Sequence, residues 1–447
     1  MSMSSRIKIS RINFGLVKTL QIILLILFGY VVSSCSTITW DQINLMPAPD
    51  VFHESNLDLL PNEDPMQQIP YQGVLYATDR KPVLDEDNDN YYANERGKLL
   101  RLGVARISLH QGEIDWNDVR QTSLLKNRPA DFPIKVTDIE ELGILEDTIP
   151  GFASRADYDA EDLDGDEEFS QAINAQLARS NKKDIYIYVH GYKVIFENPL
   201  LVGTELWHFL GYDGVMIGYA WPSTPSMWAY LRDTDTSNGY ARHFRKFLEY
   251  LAERTDVEEI HIIAYSNGTR MVSRAFEQLA LIFNDMSRED IHKKIKIGNL
   301  ILTGSDVDRE VFSSYMADGA LHVPRRMTIY VSDKDKALGF AQWLTRRERL
   351  GQMIDKENFP KKARLIFNTF KDSIHMIDVS DAEGSDSGNG HDYFRSSPWV
   401  SSDILVMLLK DLNPEQRGLV LKDSIPVWEF PTDYIDRLSR MIATLDP

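Results

Sequence analysis

A single cysteine in 447 residues leaves no partner for a disulfide and no basis for a cysteine-rich zinc site. Positive charge is also scarce. Lys and Arg total 49 against 67 Asp and Glu, a formal charge of −18 that repels a phosphate backbone, and no basic patch in the body of the chain offsets it. A nucleic-acid partner is therefore not expected. No internal repeat or low-complexity tract is present. What is there is core-forming material: 43% hydrophobic and 10% aromatic residues, with an ordinary 26% charged. That excludes global disorder and allows two or three domains, or one large α/β domain.

The first 34 residues read as an export signal. Arg6, Lys8, Arg11 and Lys18 form a positive start free of acidic residues, and the apolar run Ile22 to Val32 follows. That run is well short of the roughly 20 residues that cross a bilayer comfortably. It meets Val32-Ser33-Ser34-Cys35, which resembles a bacterial lipobox with Cys35 as the lipidated residue. An uncleaved signal anchor is the alternative. A diacylglyceryl and an N-acyl chain together give stable anchoring, and Ser36 in place of Asp favours the outer membrane. The expected organisation is a signal peptide (1–34), a lipidated N-terminus and Pro-punctuated tether (35–70) and one domain (71–447). Within the domain we expect an extension (71–180), a catalytic core (181–412) and a tail (413–447).

Strands are expected over 73–78, 100–109 and 134–137. The acidic stretch 157–168 suggests an EF-hand around Asp162, Asp164 and Gly165, but that register puts Ala160 at the first ligand position and Gln171 at the twelfth, where calcium needs acidic oxygen. A hydrated loop before a helix is the better reading. From residue 183 strands alternate with helices: strands over 185–189, 215–220, 259–264, 297–303, 327–331 and 374–379, helices over 200–210, 238–253, 267–283 and 403–412. This alternation implies a mostly parallel sheet covered on both faces, a three-layer α/β/α sandwich.

The stretch Glu259 to Gly268 (EIHIIAYSNG) runs from a strand into A-x-S-x-G and then a helix, the context of a nucleophile elbow. The turn is tight, so small residues are needed two positions either side of the serine; Ala264 and Gly268 supply them. Ser266 is the candidate nucleophile, with helix N-capping as its bland alternative. The amide of Asn267 would donate to an oxyanion. A second donor is expected after the strand ending at Val189, where His190-Gly191-Tyr192 resembles the HG motif of lipases and esterases: Gly191 permits close approach, and the amide of Tyr192 or Lys193 donates. His190 is expected to orient this loop.

A serine needs a base and the base an orienting acid, in the order Ser, acid, His. Of His292, His322, His375 and His391, only the last lies in a loop between the last strand and the last helix, so His391 is the expected base. For the acid, Asp306 or Asp308 follows one strand and Asp333 or Asp335 the next. Asp335 is preferred and Asp306 is the alternative. Trp221, Met227, Trp228 and Tyr230 are candidates to line an acyl pocket, with core packing as the commoner role for such residues.

Together LYATDRKP (75–82), YYANERG (91–97), YVHGY (188–192), AWPS (220–223), IIAYSNGTR (262–270), GSDVDREVF (304–312), YVSDKDKAL (330–338) and GHDYF (390–394) resemble a bacterial branch of the α/β-hydrolase superfamily catalogued as a domain of unknown function. The resemblance implies an α/β-hydrolase fold with Ser266, Asp335 and His391 as nucleophile, acid and base. Departures are Lys193 where the family typically has Asn, and Tyr265 and Asn267 where it has His and Met. The expected function is a lipid-anchored serine hydrolase, esterase- or lipase-like, acting on an acyl-containing small molecule or lipid without metal or organic cofactor. A non-catalytic envelope binding protein and an acyltransferase are the competing readings.

Overall fold

The sheet positions everything else. The computed structural model describes residues 42–54, 59–83, 91–109, 115–153, 165–354, 357, 359–423 and 425–445. Cys35, the apolar run before it and positions 157–164 of the acidic stretch lie outside the described residues. Among the described residues twelve strands form one sheet. In chain order they are β1 (Gln42–Asn44), β2 (Val74–Pro82), β3 (Tyr92–Ser108), β4 (Pro133–Ile144), β5 (Asp184–Val189), β6 (Val215–Ala220), β7 (Glu259–Tyr265), β8 (Ile297–Thr303), β9 (Arg326–Val331), β10 (Ile374–Asp378), β11 (Val420–Leu421) and β12 (Trp428–Glu429). Their spatial order is β1-β4-β3-β2-β6-β5-β7-β8-β9-β10-β12-β11. Every pair from β2/β6 through β10/β12 is parallel. The β1–β4–β3–β2 flank and the β12/β11 pair are antiparallel.

Strand periodicity divides the core between the two faces of this sheet. In β5, Ile185, Ile187 and Val189 point into one apolar cluster, while Tyr186 and Tyr188 point into the other. The first face is covered by helices α1 (Gly165–Leu177), α4 (Ala241–Arg254) and α5 (Gly268–Ile282). The second is covered by α2 (Glu197–Phe209), α9 (Pro398–Lys410) and α10 (Tyr434–Leu445). Four further helices are α3 (Tyr230–Gly239), α6 (Arg309–Ala317), α7 (Lys336–Thr345) and α8 (Lys361–Thr369). In α5 the buried side chains Met271, Val272, Ala275, Phe276 and Leu279 recur at helical spacing, which holds the helix against the sheet. The result is the three-layer α/β/α sandwich expected from the alternation.

Several boundaries differ from expectation. β2 runs on to Pro82 because Asp79 and Arg80 are buried and not in a surface turn. β3 is 17 residues long, its polar first half pairing with the end of β2. The helix expected over 238–253 is two, α3 and α4, joined at Tyr240. The last core helix starts at Pro398, not 403, because Ser397 caps it by accepting from the Val400 amide at 3.3 Å.

The tether expected through residue 70 requires correction. From Gln42 the chain pairs with β4, and Leu45, Met46, Ala48, Val51, Leu60 and Ile69 are buried in the second cluster. The Met46 amide donates to Glu205 Oε2 at 3.0 Å, and the Arg128 guanidinium donates to the Leu45 and Met46 carbonyls. The segment after 412 is likewise no loose tail: it supplies β11, β12 and α10, and Arg417 is fully buried on Asp403.

Candidate active site

The elbow forms because β7 ends against the start of α5 with almost no connecting chain. Ser266 takes φ +51°, a left-handed conformation that a non-glycine residue adopts only where its surroundings impose it. The Ser266 amide donates to Thr303 O at 3.0 Å, and Thr269 Oγ1 donates to Ser266 O at 2.6 Å, so the turn is fixed on both sides. Gly268 is required here: a Cβ on it would lie 2.3 Å from His190 O. A Cβ on Gly191 would lie 2.8 Å from Ser266 Cβ, which is how the HG loop comes to pack on the serine.

Three side chains from three strand ends meet at the C-terminal edge of the parallel sheet. His391 Nε2 is 2.8 Å from Ser266 Oγ, and His391 Nδ1 is 2.7 Å from Asp335 Oδ2. All are buried, with Ser266 4% and His391 6% exposed. The hydroxyl faces the imidazole; the residue at the N-cap position of α5 is Asn267, and its side chain makes no capping bond. The other oxygen of Asp335 accepts from the Leu338 amide at 2.9 Å and caps α7. The loops that carry Asp335 and His391 interlock, since the Lys336 amide donates to Asn389 O at 3.0 Å and a Cβ on Gly390 would strike Lys334 O at 2.6 Å. Burial disfavours the His391 imidazolium, but the adjacent Asp335, aided by Asp306 and Asp392, raises its pKa above the ordinary 6.5.

The alternative acid, Asp306, does not hydrogen-bond the imidazole. Its carboxylate accepts from Tyr230 Oη at 2.9 Å, Asn267 Nδ2 at 3.2 Å and Arg270 Nε at 3.0 Å, and Arg349 Nε lies 3.3 Å away. Two guanidiniums hold it, so it braces the residue after the serine. Asp308 caps α6 through the amides of Glu310 and Val311. His375 lies within β10, bonded to Lys371 O at 3.0 Å, where burial pushes its pKa down to about 3.

The loop after β5 is equally constrained. His190 is fully buried, its ring stacked on Trp221 with centroids 5.0 Å apart and its nitrogens 2.6 and 3.0 Å from the Gly191 and Trp221 carbonyls. Burial drives its pKa well down, so it is neutral and orients the loop. Lys193 adopts φ +67°, a conformation that Asn tolerates better than Lys. Sequence reasoning missed Arg80. It is buried at the end of β2 and donates to Val194 O at 3.0 Å and Ser223 O at 3.2 Å, bracing the loop that carries Gly191 and Tyr192. The only signal for it was its place in LYATDRKP.

The expected aromatic pocket is not formed as a unit. Trp221 is buried under His190, and Met227 and Trp228 are exposed. Tyr230 is buried on Asp306 and meets the Tyr192 ring edge to face at 5.4 Å. An apolar cavity of about 750 Å³ lies between α6 and α8, lined among others by Phe312, Met316, Phe359, Phe367 and Met376, and its lining includes none of Ser266, Asp335 or His391. Among the described residues no group of three or more His, Cys, Asp or Glu side chains could hold a metal, and no helix is long and apolar enough to cross a membrane.

Comparison with curated proteins and with solved structures gives no match. A family model does match, described as an alpha/beta hydrolase of unknown function (DUF900), over residues 166–409. That span is more than half of the chain and runs from the first turn of α1 to the last of α9, enclosing Ser266, Asp335 and His391. The chain belongs to this α/β-hydrolase family.

Proposed function

We propose that the chain is a serine hydrolase that cleaves an ester or related acyl bond through an acyl-enzyme intermediate. The observation that carries this is the continuous relay Ser266 Oγ–His391 Nε2 at 2.8 Å and His391 Nδ1–Asp335 Oδ2 at 2.7 Å. Ser266 attacks the acyl carbonyl carbon while His391 takes its proton. Asp335 fixes the imidazole tautomer and stabilises the imidazolium. The amides of Asn267 and Tyr192, the latter brought close by Gly191, donate to the oxyanion. The tetrahedral adduct collapses, His391 gives its proton to the leaving group, and water repeats the sequence to release the acid.

A fluorophosphonate probe and a chain-length panel of p-nitrophenyl esters test this reading. Covalent labelling at Ser266, and ester hydrolysis abolished in Ser266→Ala, are the expected results. Equal rates in the two proteins dismiss the serine.

We also propose that the mature chain is anchored in a bacterial envelope membrane through lipid on Cys35, on the strength of the apolar run and the lipobox-like Val32 to Cys35. Palmitate incorporation in cells should disappear in Cys35→Ala; retained label discards the anchor.

A further inference from the structure

One helix reaches both residues whose amides would hold the oxyanion. α3 is polar through most of its length (YLRDTDTSNG), yet Tyr230, Asp233, Thr236 and Ser237 are buried. Buried polar groups are costly unless each finds a partner, so the partners show what such a helix is for. Asp233 accepts from the Thr224 amide at 2.7 Å and pins the start of the helix to the chain after β6. Tyr230, Thr234 and Ser237 recur at i, i+4 and i+7 and so share one side of the helix. All three turn toward the site.

Two of them bind the Asn267 carboxamide, which is fully buried. Its Nδ2 donates to Thr234 Oγ1 at 2.9 Å and to Asp306 Oδ2 at 3.2 Å, and its Oδ1 accepts from Ser237 Oγ at 2.7 Å. The Asp306 carboxylate only accepts, which fixes the end of the carboxamide that is nitrogen. Both N–H groups and the carbonyl are thus engaged, and the side chain cannot turn without breaking bonds on three sides. A side chain so held also holds its Cα, and with it the aim of the amide next to Ser266. Tyr230 turns to the other donor. Its hydroxyl donates to Asp306 at 2.9 Å, and its ring meets that of Tyr192 edge to face with centroids 5.4 Å apart. Among the described residues no hydrogen bond joins these three side chains to Asp335 or His391.

We propose that Tyr230, Thr234 and Ser237 are positioning residues of the reaction, a role that rests on the hydrolase reading above. Through the Asn267 side chain and the Tyr192 ring, this side of α3 sets where the two donor amides point, and it does so without bonding the base.

The test uses the full chain, a p-nitrophenyl ester and an alkyl trifluoromethyl ketone. The ketone carbon bonds Ser266 Oγ, its oxygen becomes the oxyanion and the serine proton passes to His391. Thr234→Val and Ser237→Ala each remove one partner of the carboxamide with little change in volume. In each, kcat should fall about tenfold with KM nearly unchanged, short of the roughly 10²–10³-fold that outright loss of an oxyanion donor costs. Ketone affinity should fall by the same factor as kcat/KM, and the acidic limb of kcat/KM should stay in place. Thr234→Ser keeps the hydroxyl and should recover most of the rate lost in Thr234→Val. Tyr230→Phe deletes a single oxygen and carries the same expectation should either variant fail to fold. Unchanged kcat and ketone affinity in folded variants, a loss confined to KM, or a shifted acidic limb would each overturn the positioning role and leave the hydrolase reading intact. A wild type inert toward ester, ketone and fluorophosphonate alike overturns that reading, and the positioning role with it.

Discussion

Asp335 uses its two oxygens for different work, and one substitution separates them. Asn is as good an N-cap as Asp, so Asp335→Asn keeps the bond from the Leu338 amide and should leave the denaturation midpoint nearly unchanged. It removes the acceptor for His391 Nδ1, and kcat on an ester substrate should fall by roughly 10³–10⁴-fold. The pH profile should move with it. His391 must be neutral to act as base, and its pKa is raised, so the acidic limb of kcat/KM should lie above pH 6.5 in the wild type and shift downward in Asp335→Asn. Stability has the opposite sense. A raised folded pKa adds stability that is complete below the unfolded value and is lost as pH rises through the folded one, so the His391–Asp335 pair should be held most firmly at the pH where His391 is protonated and unable to take a proton. Asp306 should behave differently from Asp335. Asp306→Ala leaves Arg349 buried without its carboxylate and should cost about 3–5 kcal/mol in urea unfolding, whatever it does to rate. Sequence order and loop position pointed to His391, the histidine that lies 2.8 Å from Ser266 Oγ, whereas both aspartates follow strands in the right half of the chain. What decides between them is the packing of the 332–336 loop on the 389–391 loop, a contact between segments more than fifty residues apart that no local pattern encodes.

The elbow works as an element because its two neighbours leave no room for side chains. Gly268→Ala forces a methyl group into the His190 carbonyl and should lower unfolding free energy by about 1–3 kcal/mol, read by chemical denaturation, with a matching loss of fluorophosphonate labelling. The parallel strands were legible because both faces are buried, so β5, β6 and β8 read as short apolar runs bounded by turn residues. The antiparallel flank was harder to read. Half of β3 is polar (YANERGK), and its strand character comes from pairing with β2 and β4, which is a tertiary property. Arg80 was obscure for a related reason. A charged residue beside Lys81-Pro82 reads as surface, yet carbonyls from two loops close over it.

At the scale of the molecule, both ends of the described chain are tied into the fold, the N-terminal one by strand pairing and hydrogen bonds and the C-terminal one by a buried ion pair. Arg417 and Asp403 are completely enclosed, with Tyr330 Oη donating to the same carboxylate at 2.6 Å. Arg417→Ala should cost about 3–5 kcal/mol, measured by urea denaturation, because it strands a carboxylate in the core. The Pro-punctuated segment through residue 70 read as a tether and the segment after 412 as a tail because their few apolar residues have no periodicity of their own; their strands form only by pairing with β4 and β10. Their presence also settles how the sheet ends. The outermost strands are β1 and β11, with three and two residues. A parallel array this wide would otherwise present a long row of unpaired amides and carbonyls on each side, a template on which another chain could add. β1 masks only Pro133 to Lys135 of the twelve-residue β4, whereas β11 pairs with both residues of β12, so loss of residues 42–44 or 420–421 should lengthen the open ladder at its border and show first as fibrillar aggregation.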